Sequence, residues 1–130
     1  MSSSNALGTM RALTNEHNVI SLKSGEVLFR PGETGSTMFG LLEGAIRITW
    51  IGQAGQSGHE DIPLGNVFGA GALVMEGHKR LGMATATMDC RLIEMTREKF
   101  LFALHETPKF ALELLASIDQ RLRDIKLADK

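Results

Sequence analysis

The chain has 130 residues, 43% of them hydrophobic and 22% charged, with a formal net charge of −1. That length suits one domain with an ordinary hydrophobic core, and that composition excludes disorder as the main state. The near-neutral balance excludes broad electrostatic capture of nucleic acid or an anionic membrane, and the single cysteine, Cys90, excludes an internal disulfide framework.

The start, "MSSSNALGTM", has neither the cationic opening nor the long apolar run of a signal peptide, so the expected compartment is the cytoplasm. The longest uncharged internal stretch, residues 62–75, contains Pro63 and several glycines and is too short to cross a bilayer as a helix. Residues 1–18 read as a tail, with "SSSN" frayed and a short helix over Ala6–Glu16. From Val19 the pattern shortens. "VISLKSGEVLFRPGETGS" breaks at Ser24-Gly25 and Pro31-Gly32, both turn signals. "MFGLLEGAIRITWI" is interrupted at Glu43-Gly44, which predicts a tight hairpin turn. In "AIRITWI", Ile46, Ile48 and Trp50 share one face and Arg47 and Thr49 the other, the alternation of a half-buried strand.

"GQAGQSGHED" reads as a polar hairpin tip, so His59, Glu60 and Asp61 are expected in solvent rather than around a metal. "IPLGNVFGAG" reads as a strand entering a glycine-rich corner, and "GMATATMDCRLIEMT" alternates again. Within it Cys90 reads as a buried thiol; Met75, Met83, Met88 and Met95 read as core filler. Up to Thr96 the chain therefore reads as short strands with regular turns, a small barrel or double-sheet roll, whose tight corners suit the 14 glycines.

The remainder is helical. Thr96 caps "REKFLFALHE"; Thr107 as N-cap and Pro108 as first helical residue then restart a helix that runs without glycine or proline to Leu127. Ala111, Leu115, Ile118, Leu122 and Ile125 are spaced 4, 3, 4, 3, which is an a/d seam. The seam is narrow and flanked by Glu113, Asp119, Arg121 and Arg123, which predicts pairing with a second copy; packing on the chain's own roll is the alternative.

"SGEVLFRPGETGSTMFGLLEGAIRIT", "LGNVFGAGAL" and "RLGMATATMDCRLIEM" follow one another with their turns in a familiar order and spacing. Over residues 18–128 the chain resembles the cyclic nucleotide-binding domain, and most closely the effector domain of the catabolite activator and fumarate–nitrate regulator family. The resemblance implies a mainly β fold with C-terminal helices: a double-stranded β-helix (jelly roll) followed by a long C-terminal helix. It divides the chain into a tail and short helix over 1–18 and a cyclic nucleotide-binding-like domain over 19–130, with its last helix at 108–127.

"FGAGALVMEGHKRLGMATA", residues 68–86, is similar to that family's phosphate-binding cassette. There a Gly-Glu-Leu/Met-Ala/Ser-Leu run is followed by Arg-Ser/Thr-Ala. Backbone N–H groups and the arginine bind the phosphate, the hydroxyl adds a bond to it, and the glutamate accepts from the ribose 2′-OH. By position, the ligand-binding candidates are Gly69, Gly71, Ala72, Leu73, Arg80, Leu81 and Gly82. Ala70 stands where the glutamate would be, Gly71 where Leu or Met would be, Leu81 where the hydroxyl would be and Gly82 where the alanine would be. Losing the carboxylate and the hydroxyl costs about 2–5 kcal/mol, a factor of about 30 to several thousand in affinity. Arg80 reads either as a ligand contact or as a structural salt bridge. Glu76 and Lys79 read as a solvated loop tip, or as partners of Arg80 or substitutes for the lost groups. Ile125 and Lys126 fall where some members read the purine.

The function so implied is a cytoplasmic regulatory or sensor module, not an enzyme. It would hold a cyclic nucleotide or another phosphate-bearing ligand through altered or weakened contacts; the residues alone make no cofactor certain. It would form a homodimer through Ala111, Leu115, Ile118, Leu122 and Ile125 and signal through that helix to a protein partner. In the family's transcription factors a winged helix-turn-helix follows the long helix. The sequence given reaches Lys130 just after that helix, so DNA reading is not expected of it, and neither is membrane binding. The alternatives are a ligand-free interaction scaffold with a vestigial pocket, and an effector-domain fragment of a transcription regulator. A cupin-type enzyme shares the roll, but no His/Glu metal cluster and no Ser/His/Asp or Cys/His arrangement is visible.

Overall fold

A computed structural model describes residues 5–13 and 18–128. The elements run α1 (Asn5–Leu13), β1 (Val19–Leu22), β2 (Val27–Phe29), β3 (Thr37–Glu43), β4 (Ile46–Ile51), β5 (Ser57–Ile62), β6 (Val67–Phe68), α2 (Gly71–Val74), β7 (Met83–Ala86), β8 (Cys90–Thr96), α3 (Arg97–Glu106) and α4 (Lys109–Ala128). The strands make two four-stranded sheets, β1-β8-β3-β6 and β2-β7-β4-β5, with antiparallel neighbours. This is the expected jelly roll with C-terminal helices.

Period-two alternation sorts the apolar residues into two cores. On β3 and β8, Phe39, Leu41, Cys90 and Leu92 point between the sheets, where they meet Phe29, Ile46, Ile62, Phe68, Ala84 and Ala86. Their neighbours Met38, Ile93 and Met95 point the other way and meet Ala6, Leu7 and Met10 of α1, Phe100 and Ala103 of α3, and Phe110 and Leu114 of α4. β8 is thus buried on both faces, and the helices cover the sheet containing it. Cys90 is buried as expected, with Sγ 3.1 Å from Ala45 O and 3.0 Å from Met88 O. Of the four methionines read as core, Met95 is buried, Met83 is half-buried, and Met75 and Met88 are exposed.

Two expectations about turns are corrected. Glu43-Gly44 is not a hairpin: β3 pairs with β6 and β8, whereas β4 pairs with β5 and β7. Gly44, at φ +94°, instead carries the chain from one sheet to the other. The β4–β5 hairpin does exist, but its tip is only residues 52–56. β5 then pairs with β4 residue for residue, from Ile51↔Ser57 to Ile46↔Ile62. His59, Glu60 and Asp61 therefore lie in a strand. His59 and Asp61 face outward; Glu60 faces inward with Gly58 and Ile62.

α1 packs into the helical core, and Thr9 Oγ1 donates to Glu113 Oε1 of α4 at 2.7 Å. The rest of the expected first helix, residues 14–16, and the "SSSN" tail lie outside the described residues. Thr96 caps α3 as predicted, accepting from Lys99 N–H at 3.3 Å. α4 begins one residue later than predicted, at Lys109, with Phe110 N–H donating to Thr107 O at 2.8 Å. It turns Phe110, Leu114, Ser117 and Arg121 toward the roll. The predicted a/d seam is the adjacent stripe, and it remains largely uncovered: Leu115 is 62% exposed and Leu122 50%.

Candidate functional site

A cavity of about 560 Å³ opens between the β2-β7-β4-β5 sheet, the cassette corner and α4. That volume falls within the range of about 300–1,000 Å³ usual for small-molecule sites. Phe29, Ile48, Trp50, Ile51 and Leu81 give it apolar walls, while Gln53, Glu60, His78, Arg80 and Arg121 supply polar atoms.

Four of the seven predicted residues line this cavity: Gly69, Arg80, Leu81 and Gly82. Gly69 makes the corner at φ +82°. Gly71 opens the single-turn helix α2, where an added Cβ would lie 3.0 Å from His78 Cε1. Ala72 and Leu73 turn their side chains into the interior. Their N–H groups donate to Gly69 O at 3.3 Å and Ala70 O at 2.9 Å. Leu81 is 84% exposed and stands at the cavity mouth where a hydroxyl was expected by family pattern. Lys79 Nζ donates to Thr34 Oγ1 at 2.8 Å, and Glu76 is exposed.

Arg80 is only 6% exposed. Its Nη2 donates to Thr37 O at 2.7 Å and its Nη1 to Gly69 O at 3.2 Å. The guanidinium carbon lies 4.4 Å from the Phe29 ring centre and 5.7 Å from that of Phe39. Burial lowers its pKa from the ordinary arginine value, and Glu33 and Glu94 oppose the shift through space. The backbone fixes it too: Arg80 N–H donates to Glu33 O, and Arg80 O accepts from Gly32 N–H, both at 2.8 Å. Gly35 is required beside it, since a Cβ there would lie 2.5 Å from Arg80 Nε. The cation thus braces the corner from behind, tying Gly69 to the start of β3. Its recorded partners are carbonyls and rings, not a carboxylate.

The opposite wall was not foreseen. Arg121 Nη2 donates to Glu60 Oε1 at 2.7 Å and Arg121 Nε to Glu60 Oε2 at 3.1 Å, a two-pronged pair joining α4 to β5. Only 19% and 12% of the two side chains are exposed. One turn earlier, Ser117 Oγ donates to Asn66 Oδ1, which also accepts from Val67 N–H at 2.8 Å; Asn66 Nδ2 is buried without a partner among the described residues. The signal for Glu60 lay in "SGHEDI": with Ile62 inward, period two puts Glu60 inward as well. Ile125 is half-buried beside His59, Glu60, Asp61 and Asp124 and does not line the main cavity. Lys126 is exposed.

Among the described residues no three His, Cys, Asp or Glu converge to hold a metal, and no helix is long and apolar enough to cross a membrane. The family model described as a cyclic nucleotide-binding domain matches residues 19–107. No curated protein matches the sequence. Among solved structures, the catabolite activator protein of Thermus thermophilus superimposes with a TM-score of 0.75 at 22% identity, covering 95% of this chain and 56% of its own. The c-di-GMP-responsive global regulator CLP of Xanthomonas campestris gives 0.77 at 16% identity, covering 93% and 60%. A chain from work on a cyclic-GMP-dependent signalling pathway in bacterial phytopathogenesis gives 0.74 at 24% identity, covering 95% of each. At these identities the likeness is one of fold. The chain spans little more than half the length of the first two and nearly all of the third.

Proposed function

The chain belongs to the cyclic nucleotide-binding domain family, and from that premise we propose that it is a regulatory module whose pocket takes a cyclic nucleotide, or another phosphate-bearing ligand, through weakened phosphate and ribose contacts. Domains of this family in catabolite-activator-type regulators are regulatory rather than enzymatic. The observation that carries the reading is the pocket's geometry. The cavity is formed and of ligand size, and Gly69, Arg80 and Gly82 line it, yet Leu81 offers methyl groups at its mouth and Ala70 has no carboxylate. Output passes through α4, because that helix forms one wall of the cavity through Arg121 and carries the seam whose exposed residues Leu115, Ile118 and Leu122 a second copy would bury. The module works in the cytoplasm.

One observation favours the ligand-free scaffold as a second reading: two donors of Arg80 are already engaged by carbonyls of the chain itself. Calorimetric titration decides between the two. Cyclic AMP, cyclic GMP and cyclic di-GMP are titrated into the wild type and into Ala70→Glu/Leu81→Ser, which restores both missing groups. A working pocket gives weak binding in the wild type and a gain of about 30-fold or more in the double variant. Silence from both proteins with all three nucleotides removes these cyclic nucleotides as ligands and leaves the scaffold or a pocket tuned to another phosphate-bearing ligand.

A further inference from the structure

The solvent face of the β2-β7-β4-β5 sheet carries a second cavity, of about 500 Å³. Two breaks in pattern meet there. Along β4 the outward positions are Arg47, Thr49 and Ile51, so Ile51 is the apolar exception on a polar face, and it is 76% exposed. Leu81 is the apolar exception in the cassette, and it is 84% exposed. Both line the outer groove together with Pro31, Trp50 and Met83. A lone exposed apolar residue is ordinary, but several lining one concavity of ligand volume mark a binding surface. Trp50, Ile51 and Leu81 also line the inner cavity, so the two cavities share that wall. Leu81 thus offers nothing to a phosphate on one side and apolar surface to the groove on the other.

A cation stands at the Met83 end. Arg30 is exposed, and its one recorded side-chain bond among the described residues runs from Nη1 to Met83 Sδ at 3.8 Å. Glu33 Oε1 is taken by the Arg30 backbone N–H at 3.0 Å. Arg47, which also lines the groove, is held by both oxygens of Asp61. A guanidinium has five donors, so Arg30 keeps most of its own for another partner.

We propose that the outer groove binds a soluble carboxylate with an apolar body, of the size of a medium-chain fatty acid. Its carboxylate lies on Arg30, and its body covers Met83, Leu81 and Ile51. The planar fork of arginine matches a carboxylate in two-pronged geometry. A polar ligand would leave Ile51 and Leu81 uncovered, and an uncharged one would leave Arg30 unused. The apolar residues line a concavity, which suits a single molecule better than a bilayer surface. The site does not depend on the nucleotide pocket proposed above.

Decanoate is the probe. Trp50, the only tryptophan of the chain, lines the groove and reports binding by its fluorescence; calorimetry gives the stoichiometry. The expected result is saturable binding of one decanoate per chain. Arg30→Gln, or 1-decanol in place of decanoate, is expected to weaken it about tenfold, the worth of one charge-assisted hydrogen bond. Ala70→Glu/Leu81→Ser is expected to weaken decanoate while strengthening cyclic nucleotides, so one variant moves the two sites in opposite directions. Glu60→Gln, which changes the inner cavity and not the groove, leaves decanoate binding as it was. A thermal melt close to the wild type confirms that each variant is folded. Binding that does not saturate, or that Arg30→Gln leaves unchanged, overturns the site whether or not nucleotides bind. Weakening by Glu60→Gln but not by Arg30→Gln overturns it too, because the acid then occupies the inner cavity. Co-sedimentation with phosphatidylglycerol vesicles in a protein that ignores decanoate replaces the soluble ligand with a membrane surface.

Discussion

The guanidinium of Arg80 lies 4.4 Å from the centre of the Phe29 ring while its Nη2 holds Thr37 O at 2.7 Å. One side chain thus joins β2, the start of β3 and, through Gly69 O, the cassette corner. Lysine keeps the charge but loses the planar fork and the stacked face. Arg80→Lys leaves at least one buried carbonyl unsatisfied and is expected to lower stability by about 2–3 kcal/mol. Urea denaturation measures this. A loss under about 0.5 kcal/mol, the scatter of ordinary surface changes, would show that Arg80 does not brace the fold.

α4 has two apolar stripes one residue apart, and only one of them is buried against the chain's own roll. Phe110 and Leu114 are buried against the roll, while Leu115 and Leu122 are exposed at 62% and 50%. Changing Leu115→Glu together with Leu122→Glu therefore removes nothing from the chain's own core. The expected outcome is a folded monomer, against a dimeric wild type, by light scattering with circular dichroism. A wild type that is already monomeric removes the proposed dimer.

These two stripes show what was legible in the sequence. The a/d seam stood out because all five of its residues are apolar, and Leu115, Ile118 and Leu122 of it are exposed. The inner stripe did not stand out, because it ends in Ser117 and Arg121. Those polar residues are buried only because Asn66 and Glu60, 51 and 61 residues earlier in the chain, meet them there. Such pairings depend on topology, and local pattern carries no trace of them. The same limit produced the error at Glu43-Gly44. A glycine turn between two apolar runs looks alike whether the strands pair or part, and here the chain leaves one sheet for the other. The roll, the cap at Thr96 and the glycine corner were legible because each rests on a short-range signal: period two, a threonine before a helical run, and closely spaced glycines, of which Gly69 takes a φ of +82°.

Gly44 gives the sheet crossing a direct test. Its φ of +94° disfavours any L side chain, and a Cβ there would meet Asp89 O and lie 2.8 Å from Cys90 Cα. Those neighbours are backbone, so no rotamer change relieves the contact. Gly44→Ala is expected to cost about 2–3 kcal/mol of stability. Gly55 serves as the control. It also has a positive φ, +88°, but nothing lies within 4 Å of an added Cβ, so Gly55→Ala should cost only the backbone part, about 1 kcal/mol. Equal losses at the two positions would show that close approach at the crossing is not what demands glycine.

On the outer face of the hairpin, Arg47 Nε lies 2.8 Å from Asp61 Oδ1, and Arg47 Nη2 lies 3.1 Å from Oδ2. Hydrogen bonding from Arg47 holds the Asp61 carboxyl below its ordinary pKa; burial opposes this, and the charges of Arg47 and His59 reinforce it. A carboxyl whose pKa is lower folded than unfolded stabilises the fold fully above its unfolded value of about 3.9. That contribution is lost as pH falls through the lower folded value. Both side chains are largely exposed, so the effect on stability is small and the titration is the better readout. Following the Asp61 carboxyl carbon by NMR from pH 6 down to 2 should give a midpoint below that of an unpaired aspartate. Arg47→Gln should raise the midpoint into the usual carboxylate range. A midpoint that does not move between the two proteins would mean that the paired geometry is not held in solution, and that the β4–β5 surface carries two independent charges.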